Sequence, residues 1–139
     1  MTDAAALLLS TRRIALVGAS ARPDRPSFGV MRFLLARGYD VTPVNPGLAG
    51  QVLLGRPVVA SLAEAGPLDM VDVFRRSAEA GAVVDEAVRL GARSVWLQLG
   101  VRDPAAEARA REAGLAVVAD DCPAIAWRRH GLPDRVDAL

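Results

Sequence analysis

The stretch GASARPDRPSFGV, residues 18–30, has the residue types of a loop that binds phosphate. It follows the apolar run IALV and leads into a helical pattern. Gly18 permits a tight turn and a close approach of the backbone to a ligand. Ser20 and Ser27 offer hydroxyl groups, Arg25 adds positive charge, and Ser27 is placed to cap the helix. Because the first N–H groups of a helix attract anions, we expect an anion site here.

Two more polar groups follow other predicted strands. Arg75 and Arg76 come after the run VDVF, and two guanidinium groups suit bidentate contacts with phosphate. Asn45 stands where NAD-binding proteins place an acidic residue for the ribose hydroxyl. That replacement, with a single glycine at the start of the residue 18–30 loop, disfavours NAD without excluding it.

The elements that must position these residues repeat one pattern. The segments LLARGYDVTPV, AVRLGARSVWL and AREAGLAVVAD each read as helix, glycine and strand, which is typical of βαβ units and a parallel sheet. We therefore predict an α/β fold, a Rossmann-like, three-layer, doubly wound fold with a mainly parallel five-stranded sheet. The predicted strands are Ile14–Val17, Val41–Val44, Met70–Phe74, Ser94–Leu97 and Ala116–Val118. The predicted helices are Phe28–Arg37, Ala78–Leu90 and Pro104–Ala113, with a lead-in helix before them, a short helix at Leu62–Ala65 and a last helix that ends at Gly131.

Length and composition limit the classes of function. The 139 residues predict one domain, 1–139, with its core in residues 11–129. A net charge of +1 argues against nucleic acid, and no apolar run is long enough for a membrane helix. The start of the chain lacks the pattern of a secretory signal, so we expect a cytoplasmic protein. All 17 basic residues are Arg, which excludes a P-loop lysine.

The lone cysteine and histidine exclude an internal disulfide and argue against a Cys/His metal site. No triad or pair of catalytic carboxylates is evident, so we predict no catalytic residues. Asp120 and Asp121 are adjacent, and we expect one of them to cap the last helix.

Ligands of open parallel sheets bind beyond the carboxyl ends of the strands, so the loops after all five strands should line one crevice. Several segments of this crevice and its strands, IALVGASARPDRPSFGVMRFLLARGYDVTPVNP, VDVFRRS, VWLQLGV and VVADDCP, resemble the small stand-alone CoA-binding domain proteins of bacteria and archaea. They are also similar to the CoA-binding domain of the succinyl-CoA synthetase α-subunit.

The resemblance implies coenzyme A as the ligand, and it implies which residues hold it. The implied set is Gly18, Ala19, Ser20 and Ser27 at the phosphates, Asn45 and Pro46 on the adenosine side, Phe74, Arg75 and Arg76 beside the nucleotide, and Gln98 and Leu99 beside the pantetheine arm. The larger synthetases often carry a Lys soon after the second-strand proline. Leu48 stands near that place here, so Arg75 or Arg76 is expected to supply that phosphate contact.

Cys122 follows the fifth strand and is predicted to face the same crevice. Two interpretations are open for it. A small buried apolar residue is favoured, and a mixed disulfide with the CoA thiol is the alternative.

The function predicted from these residues is non-catalytic binding of CoA or acyl-CoA, by a protein that can form a homodimer or serve a protein partner. Two alternatives stay open. One is the CoA-handling subunit of an acyl-CoA ligase whose catalytic parts lie on another chain, and the other, less favoured, is an NAD-binding regulator.

Overall fold

A computed structural model describes residues 3–134 of the chain. The strands are β1 Arg13–Val17, β2 Asp40–Val44, β3 Val52–Leu53, β4 Arg56–Pro57, β5 Met70–Val73, β6 Ser94–Leu97 and β7 Ala116–Val118. Five of them form one parallel sheet in the order β2-β1-β5-β6-β7, and β3 and β4 form a separate antiparallel hairpin next to β2. The helices are α1 Ala4–Ser10, α2 Pro26–Ala36, α3 Ser77–Arg89, α4 Pro104–Glu112 and α5 Pro123–His130, with 3₁₀ turns at Pro46–Leu48 and Leu62–Ala65. The predicted α/β, doubly wound architecture is confirmed.

Helices cover both faces of the sheet, so its central strands are apolar on both sides. Alternate residues of β1 divide the core: Ile14 and Leu16 pack on the side of α1, α2 and α5, whereas Ala15 and Val17 pack on the side of α3 and α4. Trp96 is fully buried in the first of these cores. The sheet therefore presents a fixed carboxyl edge with a different layer on each side.

Short-range signals explain most helix starts and ends. α2, α4 and α5 each begin with a proline, whose fixed φ suits the first helical position. Asp103 caps α4, since its carboxylate accepts the N–H of Ala106 at 3.1 Å. Gly131 ends α5 in the left-handed conformation, with φ of 59°.

Two predicted caps are wrong. Pro26 takes the first position of α2, so Arg25 is the cap residue and Ser27 lies inside the first turn. Cys122, and neither aspartate, is the cap residue of α5. Asp120 accepts the N–H of Gly100 at 2.7 Å, and Asp121 accepts the N–H of Cys122 at 2.8 Å.

The β3-β4 hairpin was not predicted, because two-residue strands are too short to show alternation. Leu54 and Gly55 both have positive φ at its turn, as this kind of two-residue loop requires. None of the helices in residues 3–134 combines the length and apolar character of a membrane span.

Candidate functional site

The candidate site is a cavity of about 720 Å³ at the carboxyl edge of the sheet, beside the loops that leave β1 and β5. These neighbouring strands form the switch point, because the chain passes from β1 to α2 on one face and from β5 to α3 on the other. Ten of the thirteen predicted site residues line this cavity. They are Gly18, Ala19, Ser20, Arg25, Ser27, Asn45, Phe74, Gln98, Leu99 and Cys122.

Gly18 lies in close contact with the ends of both strands that flank β1. Its φ of +93° is a conformation that other residues rarely adopt, and an added Cβ would collide with the carbonyl oxygen of Phe74. The N–H groups of Gly18 and Ala19 both point to the carbonyl of Val44, at 3.1 and 3.4 Å. The loop after β1 therefore lies directly against the loops after both neighbouring strands, and only glycine fits at position 18.

Ser27 gives the cavity its free hydrogen-bond donors at the start of α2. Pro26 has no N–H, and the N–H groups of Phe28 and Gly29 bond the carbonyl of Arg25 at 3.1 and 3.4 Å. Within residues 3–134, neither the N–H nor the hydroxyl of Ser27 has a protein partner. Because Ser27 is 5% exposed and lines the cavity, both groups are available to an anion bound there.

The amide of Asn45 holds two loops in place. Its Nδ2 donates to the carbonyl of Ala19 at 2.7 Å, and its Oδ1 accepts the N–H of Gly47 at 2.8 Å. Ser20 is used in a similar way, since its hydroxyl accepts the N–H of Arg22 at 3.1 Å. These side chains build the wall of the cavity through contacts within the protein.

The positive charge at the rim comes from the residue 18–30 loop. Arg22 pairs with Asp24 at 3.2 Å, and both side chains are exposed. Arg25 lines the cavity and has no ion pair within residues 3–134. Its guanidinium group is thus the cationic group most available to a phosphate in this cavity.

Residues that follow all five parallel strands line this cavity, but Arg75, Arg76 and Pro46 do not. Successive residues at a strand end point to opposite faces, so Phe74 faces the cavity and Arg75 the other side of the sheet. Arg75 lines a smaller cavity of about 310 Å³ with Pro46, next to α3. Arg75 and Arg76 form ion pairs with Glu79, at 3.4 and 2.6 Å. The contact between Arg76 and Glu79 raises the pKa of Arg76 and lowers the pKa of Glu79.

The far wall of the cavity is mostly apolar. Leu99 is more than half exposed there, and Val101 and Val30 extend the apolar lining. Cys122, at the start of α5, is 6% exposed and also lines the wall. This wall can hold an uncharged chain beside the polar loop.

One residue of the site was not predicted. Asp72, in the middle of β5, is fully buried, and its Oδ1 accepts a hydrogen bond from Nε2 of Gln98 at 2.9 Å. Burial raises the pKa of Asp72 to about 7, although the hydrogen bond from Gln98 opposes that rise. The signal in the sequence was a single acidic residue within the apolar run MVDVF.

No cluster of three metal-ligating side chains occurs within the described range 3–134. The groups that meet at the edge of the sheet are a glycine turn, free donors at a helix start, one unpaired guanidinium and an apolar wall. The fold and the site define a Rossmann-like α/β domain with a ligand cavity at its switch point.

Residues 12–128 match the family model described as CoA binding domain, and the chain belongs to that family. It is 39% identical over 121 residues to the protein YneT of Bacillus subtilis (strain 168), a match that covers 86% of this chain and 88% of that protein. A solved structure of a Thermus thermophilus protein is 41% identical, with a TM-score of 0.84 over 89% of this chain and 93% of its own. A hypothetical protein from Pyrococcus horikoshii OT3 is 36% identical, with a TM-score of 0.86 over 93% and 92% of the two chains. These matches agree with the resemblance stated from the sequence.

Proposed function

We propose that this protein binds CoA or an acyl-CoA in the cavity beside the residue 18–30 loop, without catalysing a reaction. The observation that carries the proposal is the free N–H and hydroxyl of Ser27, which line a cavity that also contains the unpaired Arg25. CoA matches such a site in two ways. Its pyrophosphate binds hydrogen-bond donors and positive charge, and its largely apolar pantetheine arm can lie along the apolar wall.

The size and layout of the two cavities support CoA over a smaller ligand. The main cavity, at about 720 Å³, is within the usual range for small-molecule sites. It shares Gly18 and Asn45 with the smaller cavity, which contains Pro46 and Arg75. We propose that the nucleotide half reaches over this shared border toward Arg75 and that the pantetheine arm follows Leu99 and Val101.

Binding without catalysis is proposed because, within the described residues, no carboxylate or histidine lines the main cavity. Within the described residues, the titratable side chains that line the main cavity are Arg22, Arg25 and Cys122. Asp72 lies behind Gln98, and His130 is exposed at the end of α5. The proposed mechanism is therefore recognition of CoA by donors, charge and shape.

Calorimetric titration with CoA, NAD and ATP at low salt tests the proposal. We expect CoA to bind more tightly than either of the other two, because neither NAD nor ATP has a pantetheine arm for the apolar wall. No heat with CoA up to high micromolar concentration would contradict the proposal, and tighter binding of NAD would favour the NAD-binding alternative.

Arg25→Ala is expected to weaken CoA binding by about tenfold, because a charge-assisted hydrogen bond is worth roughly 1.5–3 kcal/mol when formed and less at an exposed rim. The matched control is Arg111→Ala on α4, which makes the same change in net charge away from both cavities. It should change affinity by less than about twofold. Equal effects of the two substitutions would show that net charge alone matters and would remove Arg25 from the site.

A further inference from the structure

Asp72 and Gln98 form a buried pair behind the wall of the main cavity. The Cα partners of Asp72 on the flanking strands are Leu16 and Trp96, so neither neighbouring strand offers it a polar side chain at that level. Its Oδ1 accepts the 2.9 Å hydrogen bond from Gln98, and its Oδ2 is sealed without a partner in residues 3–134. Gln98 is thus the side chain that connects this carboxyl group to the cavity.

The chemistry of a carboxylate fixes which way the Gln98 amide points. An ionised carboxylate only accepts hydrogen bonds, so the NH₂ group of Gln98 must turn toward Asp72. The carbonyl oxygen Oε1 is then on the arm of the amide group that points away from Asp72. Within residues 3–134 this oxygen accepts no hydrogen bond and is not sealed from solvent, and Gln98 lines the cavity.

We propose that Asp72 is a positioning residue that fixes Gln98 so that its carbonyl oxygen accepts a hydrogen bond from an amide N–H of the bound ligand. The inference rests on the proposed function, and it specifies the part of the ligand that is recognised. The pantetheine arm of CoA carries two amide N–H groups, whereas adenosine 3′,5′-bisphosphate, which represents the nucleotide half, has no such arm. Gln98 therefore selects for the arm and contributes nothing to binding of the nucleotide half alone.

Protonation of Asp72 removes the constraint on Gln98. A neutral carboxyl group has an O–H that can donate to Oε1, so the amide can reverse and present its NH₂ group to the cavity. Burial places the pKa of Asp72 at about 7, within the range of an ordinary binding experiment. The other titratable or charged groups around the cavity are Arg22 and Arg25 on the residue 18–30 loop and Cys122 at the start of α5, while the flanking strands offer none at this level.

The test compares the affinity for CoA with that for adenosine 3′,5′-bisphosphate by calorimetry at pH 6, 7 and 8. Both ligands carry the 3′-phosphate, but the bisphosphate also carries a 5′-phosphate monoester whose second pKa is about 6, and CoA has a pyrophosphate diester there. The pH dependence of the ratio is therefore compared between the unaltered protein and Asp72→Asn, because the titration of the ligands is the same with both. From pH 6 to pH 8, the ratio in favour of CoA should rise roughly three- to tenfold more with the unaltered protein than with Asp72→Asn, which cannot ionise.

Gln98→Leu should lower the same ratio by about tenfold at pH 8 and leave bisphosphate affinity unchanged, which also shows that the variant is folded. If Gln98→Leu does not fold, the pH profile of Asp72→Asn decides. The same pH dependence of the ratio in the unaltered protein and in Asp72→Asn would overturn the inference, as would a ratio unaffected by Gln98→Leu. Either result together with binding of CoA would overturn the inference alone, whereas no binding of CoA would overturn the proposed function with it.

Discussion

At pH 8, the variant Asp72→Asn is expected to be more stable than the unaltered protein by about 2–4 kcal/mol of unfolding free energy. The pKa of Asp72 is about 7 in the folded protein and has an ordinary value of 3.8. Between these values the folded state holds a proton that the unfolded state has released, so stability falls as pH rises through this window. Above pH 7 the buried carboxylate is charged and the full destabilisation is present, and Asn avoids it.

At pH 5 the advantage of Asp72→Asn should be smaller than at pH 8 by about 2–3 kcal/mol, because pH 5 lies near the lower end of the window in which the folded state holds a proton that the unfolded state has released. Urea unfolding followed by tryptophan fluorescence at pH 5 and pH 8 measures both differences. Asp85→Asn is the matched control, since Asp85 is half-exposed and pairs with Arg109 at the surface. It should change stability by less than about 1 kcal/mol at either pH. If Asp72→Asn lost the same stability at both pH values, the carboxyl group would contribute through packing and not through its ionisation.

Gly18→Ala is expected to destabilise the protein by at least about 3 kcal/mol and to abolish measurable CoA binding. The substitution imposes the left-handed backbone penalty, and it also drives a methyl group into the carbonyl oxygen of Phe74. Because the loops after β1 and β5 cannot both keep their positions, the cavity between them changes shape. Thermal or urea unfolding measures the loss of stability, and calorimetry with CoA measures the loss of binding.

Gly114→Ala separates these two effects. Gly114 has the same φ of +93°, but an added Cβ there has nothing within 4 Å. Its substitution should cost about 1–2 kcal/mol, the backbone penalty alone, and leave CoA affinity unchanged. If both variants lost similar stability and both kept CoA binding, contact between the two loops would not shape the site.

The parallel sheet could be predicted because its signals are local and repeated. The helix, glycine and strand pattern placed Ser94–Leu97 and Ala116–Val118 at their observed bounds. Helix starts were harder to predict, because a proline at the first helical position and a serine at the cap position each indicate a different first residue for the helix. At Pro26 the proline decides the start of the helix, so Ser27 lies two positions after the cap residue Arg25 and lines the ligand cavity.

The sequence predicted those residues of the site that come directly after a strand. Position after a strand brought Gly18, Asn45 and Gln98 to one edge, but it does not reveal the face to which each side chain points. Arg75 was therefore expected in the main cavity although it lines the smaller one, and the contact of Arg75 and Arg76 with Glu79 depends on the first turn of α3. Asp72 was not predicted because its raised pKa results from complete burial, and burial depends on how the helices pack over β5.

The amide of Asn45 is committed to Ala19 and Gly47, so the loops after β1 and β2 are tied together without a ligand. Pro26 further restricts the backbone at the point where the residue 18–30 loop enters α2. A site with such preorganised walls needs little ordering when a ligand arrives. Arrival is then limited by diffusion and orientation, and ligands that differ in fit should differ mainly in how long they stay bound. The cavity would therefore discriminate among CoA derivatives by residence time.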